Sequence, residues 1–189
     1  MLEKAKATGT VSDSENPVDV TMLNQQEILM SCLAMALDCE GSIGFNVSFD
    51  KGKGKGNGRP QILPLISVSN TSWQLIEKCC KCCDAVGVKY NITPYQSSAK
   101  RRKPVWILSL VGAKRVGALL PLLMHHLTEK LYCAENVMAF IRSRHGKNGL
   151  PNAQRIYTDH ELHLVQGTRR NSPETTRATP IEKVREALG

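Results

Sequence analysis

Residues 33–41 read LAMALDCEG, and the chain continues directly as SIGF (42–45). A run of aliphatic and small residues ends in two carboxylates, Asp38 and Glu40, with Gly41 immediately behind them. The pattern predicts the last turns of a helix that stops at a glycine. The C-terminal end of a helix carries the negative pole of the macrodipole, which favours cations and disfavours acids. Two acids placed there require compensation, and a bound metal ion is one candidate.

Upstream, Asn24-Gln-Gln-Glu27 has the form of a capping box and predicts a helix from Asn24 to about Cys39. Downstream, SIGFNVSFD alternates. Ile43, Phe45, Val47 and Phe49 face one way, and Ser42, Asn46 and Ser48 face the other. A Gly/Lys loop (51–60) leads to a second strand at about 61–69, where Pro64 suits only an edge or a bulge. Thr71-Ser-Trp-Gln74 opens a second helix that Gly87 ends. VKYNITPY (88–95) and VWILSL (105–110) form a second hairpin. Helices follow at about 113–124 and 131–143. Capping boxes at Thr158-Asp-His-Glu161 and Thr179-Pro-Ile-Glu182 start two short C-terminal helices. The expected fold is α+β, of order αββαββα. It has one four-stranded antiparallel sheet, helices on its apolar face and extra helices at the C-terminal end. The expected parts are a flexible arm (1–22), a core (23–145) and a C-terminal helical extension packed on it (146–189).

Among 189 residues the net charge is +8, and the sequence pI is about 9.2. Lys51, Lys53, Lys55 and Arg59 lie in one loop, and Lys100, Arg101, Arg102 and Lys103 in another, with no acid in either. Without these eight, 17 Lys and Arg face 17 Asp and Glu, so the two loops hold the whole excess. That distribution points to a polyanion, nucleic acid before membrane. No stretch is long and apolar enough to span a bilayer. Seven cysteines with no secretory signal point to an intracellular, reducing compartment with free thiols. CCKCC (79–83) lacks the two separated pairs of a zinc site, and a helix would spread it over a broad face. Core packing is its expected role.

The nonapeptide resembles the signature of the LAGLIDADG homing endonucleases. Leu33, Ala34, Leu37, Asp38 and Gly41 match it, and Glu40 fills its second acidic position. Met35, Ala36 and Cys39 depart from it. The αββαββα order is similar too. VSNTSWQLIEK (68–78), LLPLL (119–123) and TPIEKVREAL (179–188) resemble stretches of the small members encoded in group I introns, so the resemblance spans about 25–188. The motif occurs once, which in that family goes with a homodimer. The resemblance therefore implies two copies of the helix packed across a two-fold axis through Ser31, Ala34, Met35 and Asp38. Small residues suit that contact. Met35 implies either a wider crossing or a side chain turned into its own core.

The resemblance also implies a site-specific double-strand DNA endonuclease that cuts a long, nearly palindromic site and leaves short 3′ overhangs. The cofactor would be Mg²⁺ or Mn²⁺, with Ca²⁺ as a non-cleaving substitute. Glu40, the backbone carbonyl of Cys39, and Gly41 would hold the metal. Lys130 would stabilise charge, with His125 and His126 as substitutes. Asn70, or alternatively Thr71, would orient water. Asp38 would be structural. Candidate DNA contacts are Ser42, Asn46, Ser48, Ser67, Ser69, Lys89, Asn91, Thr93 and Tyr95 on the strands. The eight basic loop residues and Arg177 would add to them, with Arg169 and Arg170 on flanking DNA. An organelle-encoded or prokaryotic origin goes with such introns. Two other classes compete. One is an intron maturase or DNA-binding regulator of the same fold without cleavage. The other is a basic ribosome-associated RNA protein, which explains the charge and not the acidic helix end.

Overall fold

The computed structural model describes residues 20–50, 59–95, 104–144 and 157–168. Helix α1 (Val20–Glu40) runs directly into strand β1 (Gly41–Asp50). Strand β2 (Arg59–Asn70), helix α2 (Trp73–Ala85), strands β3 (Asn91–Tyr95) and β4 (Val105–Val111) follow. Helices α3 (Ala113–Leu123), α4 (Leu131–Ser143) and α5 (Asp159–Gly167) complete the order. The strands form the expected single four-stranded antiparallel sheet, and their order in it is β1-β2-β4-β3. The expected helix near Thr179 lies outside the described residues, as do the two basic loop tips and residues 1–19.

Alternation along the strands separates the two faces. Ile43, Ile66, Val68, Leu108 and Leu110 point into a core shared with α1, α2, α3 and α4. That core includes Leu33, Ala34 and Leu37 of α1 and the buried Cys79, Cys80, Cys82 and Cys83 of α2. The four thiols act as small hydrophobes. Burial is the first cause that pushes Cys83 up to about 12 and Cys79 and Cys82 up to about 11, so they stay neutral. Trp73 and Trp106 meet edge to face at 5.0 Å and pin the start of α2 to β4. A second cluster, Ile62, Phe140, Tyr157, Leu162, Leu164 and Val165, seats α5 beside α4 and the sheet.

Three expectations are corrected. Helix α1 begins at Val20, so Asn24 lies inside it and does not cap it. A capping motif offers a start without forbidding an earlier one, and Val20–Leu23 contain no Gly or Pro to stop an added turn. Strand β3 begins at Asn91, not at residue 88. The N–H of Val88 donates to the Cys83 carbonyl, and that of Gly87, at φ +65°, donates to Asp84, so these residues close α2. Finally, Pro64 sits in an inner strand without a bulge, paired with Phe45 of β1. The β2–β4 ladder ends one residue short of it, at Leu65 opposite Val111. Its missing N–H therefore faces a side where no strand pairs, while its carbonyl accepts from Gly112 at 2.8 Å.

The same gap leaves the Ile62 N–H without a strand partner, and the Tyr157 hydroxyl accepts it at 2.8 Å. Tyr157 stacks on Phe140, and the Arg144 guanidinium lies 4.8 Å from its ring centre. Thr158 and Glu161 form the expected capping box of α5. Glu161 is buried, and its carboxylate also accepts from Ser143 at 2.9 Å and pairs with Arg144 at 3.4 Å. A buried carboxylate is tolerated because each bond replaces lost water.

Candidate active site and nucleic-acid interface

The acidic helix end resolves into two different carboxylates. Asp38 is half-buried. Its two oxygens accept the backbone N–H groups of Thr128, at 2.8 Å, and Lys130, at 3.0 Å. The Lys130 ammonium donates back to the Asp38 carbonyl at 2.6 Å. Asp38 thus has its compensation within the chain, supplied by the segment that leads into α4. Lys130 is the N-terminal cap residue of α4, so its backbone is held at a fixed point. An ammonium has three donors, and this bond uses one.

Glu40 is the opposite case. It is exposed, and among the described residues no hydrogen bond or ion pair reaches its carboxylate. It ends α1, whose last turn holds no basic residue. Gly41 behind it is required by close approach. A Cβ there would lie 2.6 Å from Leu37 Cδ2 and 2.7 Å from Leu37 Cα. Only glycine lets the chain pass from helix into strand without a turn, and that passage carries Glu40 to the end of the sheet.

Register places Asn70 at the same end, because Gly41 pairs with Val68 two residues before it. The Asn70 Oδ1 accepts the Ser72 N–H at 2.8 Å, which fixes its rotamer and leaves its NH₂ group available. Thr71 is exposed. His125 and His126 lie in a 3₁₀ turn (Met124–His126) just before the clamped segment, and Asp38 binds past them. Thr128 was not among the expected site residues. Its part is played by a backbone N–H, which side-chain chemistry in a sequence does not reveal.

Among the described residues no three His, Cys, Asp or Glu side chains converge to hold a metal. The end of α1 instead presents the Glu40 carboxylate and backbone carbonyl oxygens, that of Cys39 among them. These are hard oxygen donors at the negative pole of a helix, and they fit a divalent cation such as Mg²⁺.

The open face of the sheet carries the expected strand positions. Ser42, Ser67, Ser109 and Asn91 form one row across all four strands, and Ser69, Ile107 and Thr93 form the next. Ser42, Asn46, Ser69, Asn91, Thr93 and Tyr95 are exposed, and Ser67 is half-buried. Ser48 is paired with Gln61 and Arg59 with Asp50 in the outer part of the first hairpin. Lys89 precedes the strand and lines an open cleft of about 490 Å³ with Asp84, Tyr90 and Arg115. Ser109, absent from the expected contacts, completes the central row. The alternation of VWILSL was the available signal for it. At the sheet's outer edge the Thr168 hydroxyl closes over Gly44, 3.4 Å from where a Cβ would stand. Lys51, Lys53, Lys55, Lys100, Arg101, Arg102, Lys103, Arg169, Arg170 and Arg177 lie outside the described residues.

The exposed side of α1 differs from expectation. Ala34 and Ala36 are buried in their own subunit, Ala34 completely, so neither is available to a second copy. Met35 is 63% exposed and does not turn into its own core. Ile28, Cys32, Met35 and Cys39, spaced by four, three and four, form one exposed stripe with Ser31 beside it. The small residues of the motif serve packing inside the subunit.

No protein-family model matches this sequence, and no curated protein matches it. Solved structures do. The homing endonuclease I-CvuI in complex with its target matches with a TM-score of 0.63 at 18% identity, over 87% of this chain and 95% of that one. The group I intron-encoded homing endonuclease I-CeuI complexed with DNA matches at 0.57 and 12% identity, over 88% and 83%. The LAGLIDADG meganuclease I-CpaMI bound to uncleaved DNA matches at 0.55 and 13% identity, over 84% of this chain and 48% of that one. The protein has the fold of the LAGLIDADG homing endonucleases.

Proposed function

We propose that the protein is a site-specific, metal-dependent double-strand DNA endonuclease that works as a homodimer. The observation that carries this reading is the division of labour at the end of α1. Asp38 is consumed in clamping Lys130, and Glu40 stands beside that clamp with a free carboxylate. A purely structural helix end would have no use for the second acid.

In this reading α1 packs against its copy along the Ile28, Cys32, Met35 and Cys39 stripe. The two-fold axis then brings two Glu40 carboxylates close enough to repel, and cations between them offset that repulsion. The I-CpaMI comparison supports a dimer, since this fold spans about half of that chain. I-CvuI complexes were solved with 2 mM Ca in one case and 2 mM Mg in another, which supports divalent metal use. When bound, such an ion would activate water and stabilise the leaving 3′ oxygen. Lys130 would place positive charge beside the scissile phosphate. The free NH₂ group of Asn70 would orient the attacking water. The product would carry short 3′ overhangs from a long, nearly palindromic site. The basic loop tips would grip phosphates, and the serine row and its neighbours would face base edges.

Cleavage selection on a randomised, near-palindromic duplex library with Mg²⁺, run beside Glu40→Gln, tests this. The expected result is one enriched site with 3′ overhangs, bound and left intact by the variant. Binding without cleavage by the wild-type protein would overturn the enzyme in favour of a maturase or regulator.

A further inference from the structure

The open face of the sheet is not uniformly polar. Leu63, Leu65, Val105, Ile107 and Val111 are half-buried, yet none packs against either core cluster. Register puts them on the serine side. Leu65 pairs with Val111, Leu63 with Asn46, Ile107 with Ser69 and Thr93, and Val105 with Tyr95. The rows therefore read aliphatic, hydroxyl, then mixed, with the Ser42–Ser67–Ser109–Asn91 row in the middle. A surface that only held phosphates would need no aliphatic side chains. A protein-docking patch would be contiguous, whereas here a hydroxyl row divides it.

Base edges in the major groove present just this mixture. Each carries hydrogen-bonding groups that a serine can meet as donor or acceptor, and thymine alone adds an apolar C5-methyl group. Residues two apart on a strand stand about 6.7 Å apart, close to two base-pair steps. The sequence places its whole charge excess in the loops joining these strands, which suits a polyanion on this face.

We propose that Leu63, Leu65, Val105, Ile107 and Val111 are specificity residues that read thymine C5-methyl groups in the target duplex. The inference rests on the DNA-binding reading above and adds the chemistry of recognition to it. The methyl group also separates DNA from RNA at these positions, since uracil lacks it.

The test takes the duplex enriched by selection and replaces its thymines one at a time with deoxyuridine, which deletes only the methyl group. Dissociation constants are measured with Ca²⁺ to prevent cutting. Each thymine under an aliphatic side chain should weaken binding about fourfold on losing its methyl. In Leu65→Ala, one of those positions should become indifferent to the change, while the others respond as before. Leu65 is outside the core, so the variant should fold, and its unchanged response at the other thymines checks that. Equal binding of every thymine and uracil duplex would overturn the inference and leave the endonuclease reading intact. Failure to bind any duplex would overturn both.

Discussion

Asp38 and Lys130 hold each other at two points. The Asp38 carboxylate accepts the Lys130 backbone N–H at 3.0 Å, and the Lys130 ammonium reaches the Asp38 carbonyl at 2.6 Å. The contact joins residues 92 positions apart in the chain. It makes the first acid of the motif a positioning residue for the lysine, separate in role from Glu40.

Asp38→Ala should release the 128–130 segment and let Lys130 drift. A misplacement of about 1 Å can cost about 10²-fold in rate. Single-turnover cleavage should fall by that order while DNA affinity stays within a few fold. Equal losses in binding and cleavage would point to general unfolding instead.

Gly41→Ala places a methyl group within 2.7 Å of Leu37 backbone. Backbone cannot swing aside as a side-chain tip can, so the helix-to-strand passage must open. We expect a loss of about 1–3 kcal/mol or more, read from the urea midpoint. Leu37→Ala in the same chain should not restore it.

Thiol labelling should divide the cysteines by place. Cys32 and Cys39 are exposed on α1, whereas Cys79, Cys80, Cys82 and Cys83 are buried. A maleimide should modify the first pair in the dilute protein and spare the other four until urea is added. Raising the protein concentration should protect Cys32 and Cys39 together if that helix face joins two copies. Continued labelling of both at concentrations where sedimentation shows a dimer would place the interface elsewhere.

The buried thiols also set an alkaline limit. Cys79, Cys82 and Cys83 are raised from 9.0 to between about 11 and about 12, with burial as the leading cause. The unfolded chain releases these protons from about pH 9 upward while the native protein keeps them. Stability is therefore at its full value below that pH and is lost as pH climbs through the native values. Urea midpoints under reducing conditions should hold up to about pH 9 and fall as pH rises from there towards about 12. Replacing Cys83 with Ala should reduce that fall.

Tyr157→Phe keeps the ring stack on Phe140 and removes the acceptor for the Ile62 N–H. A buried donor left without a partner costs about 1–3 kcal/mol. Hydrogen exchange at Ile62 should accelerate more than that at Ile66, which lies within the β2–β4 ladder.

Most of the fold was legible because its signals are periodic. Alternation set the faces of β1 and β4, and Gly41 and Gly87 marked real helix ends. Pro64 misled, because a local rule about edges cannot know that an inner strand outruns its neighbour. At the candidate site, Glu40, Lys130 and Asn70 were expected from the nonapeptide and the resemblance it carries. The backbone N–H bonds that hold Lys130 and Asn70 were not, since N–H groups are the same in every residue. Ala34 shows the other limit. Its small size fits both a subunit contact and its own core, and only the three-dimensional packing decides between them.

The tie between Ile62 and Tyr157 bears on how the chain is made. Among the described residues, the outer half of β2 has a neighbour strand on one side only, and its other side waits for a residue 95 positions later. During synthesis the first hairpin emerges long before its cover. An open strand edge invites pairing with other chains. A polypeptide interrupted before residue 157 would carry the whole sheet and still be prone to self-association. Docking of Tyr157, rather than completion of the sheet, is the step that covers the outer half of β2.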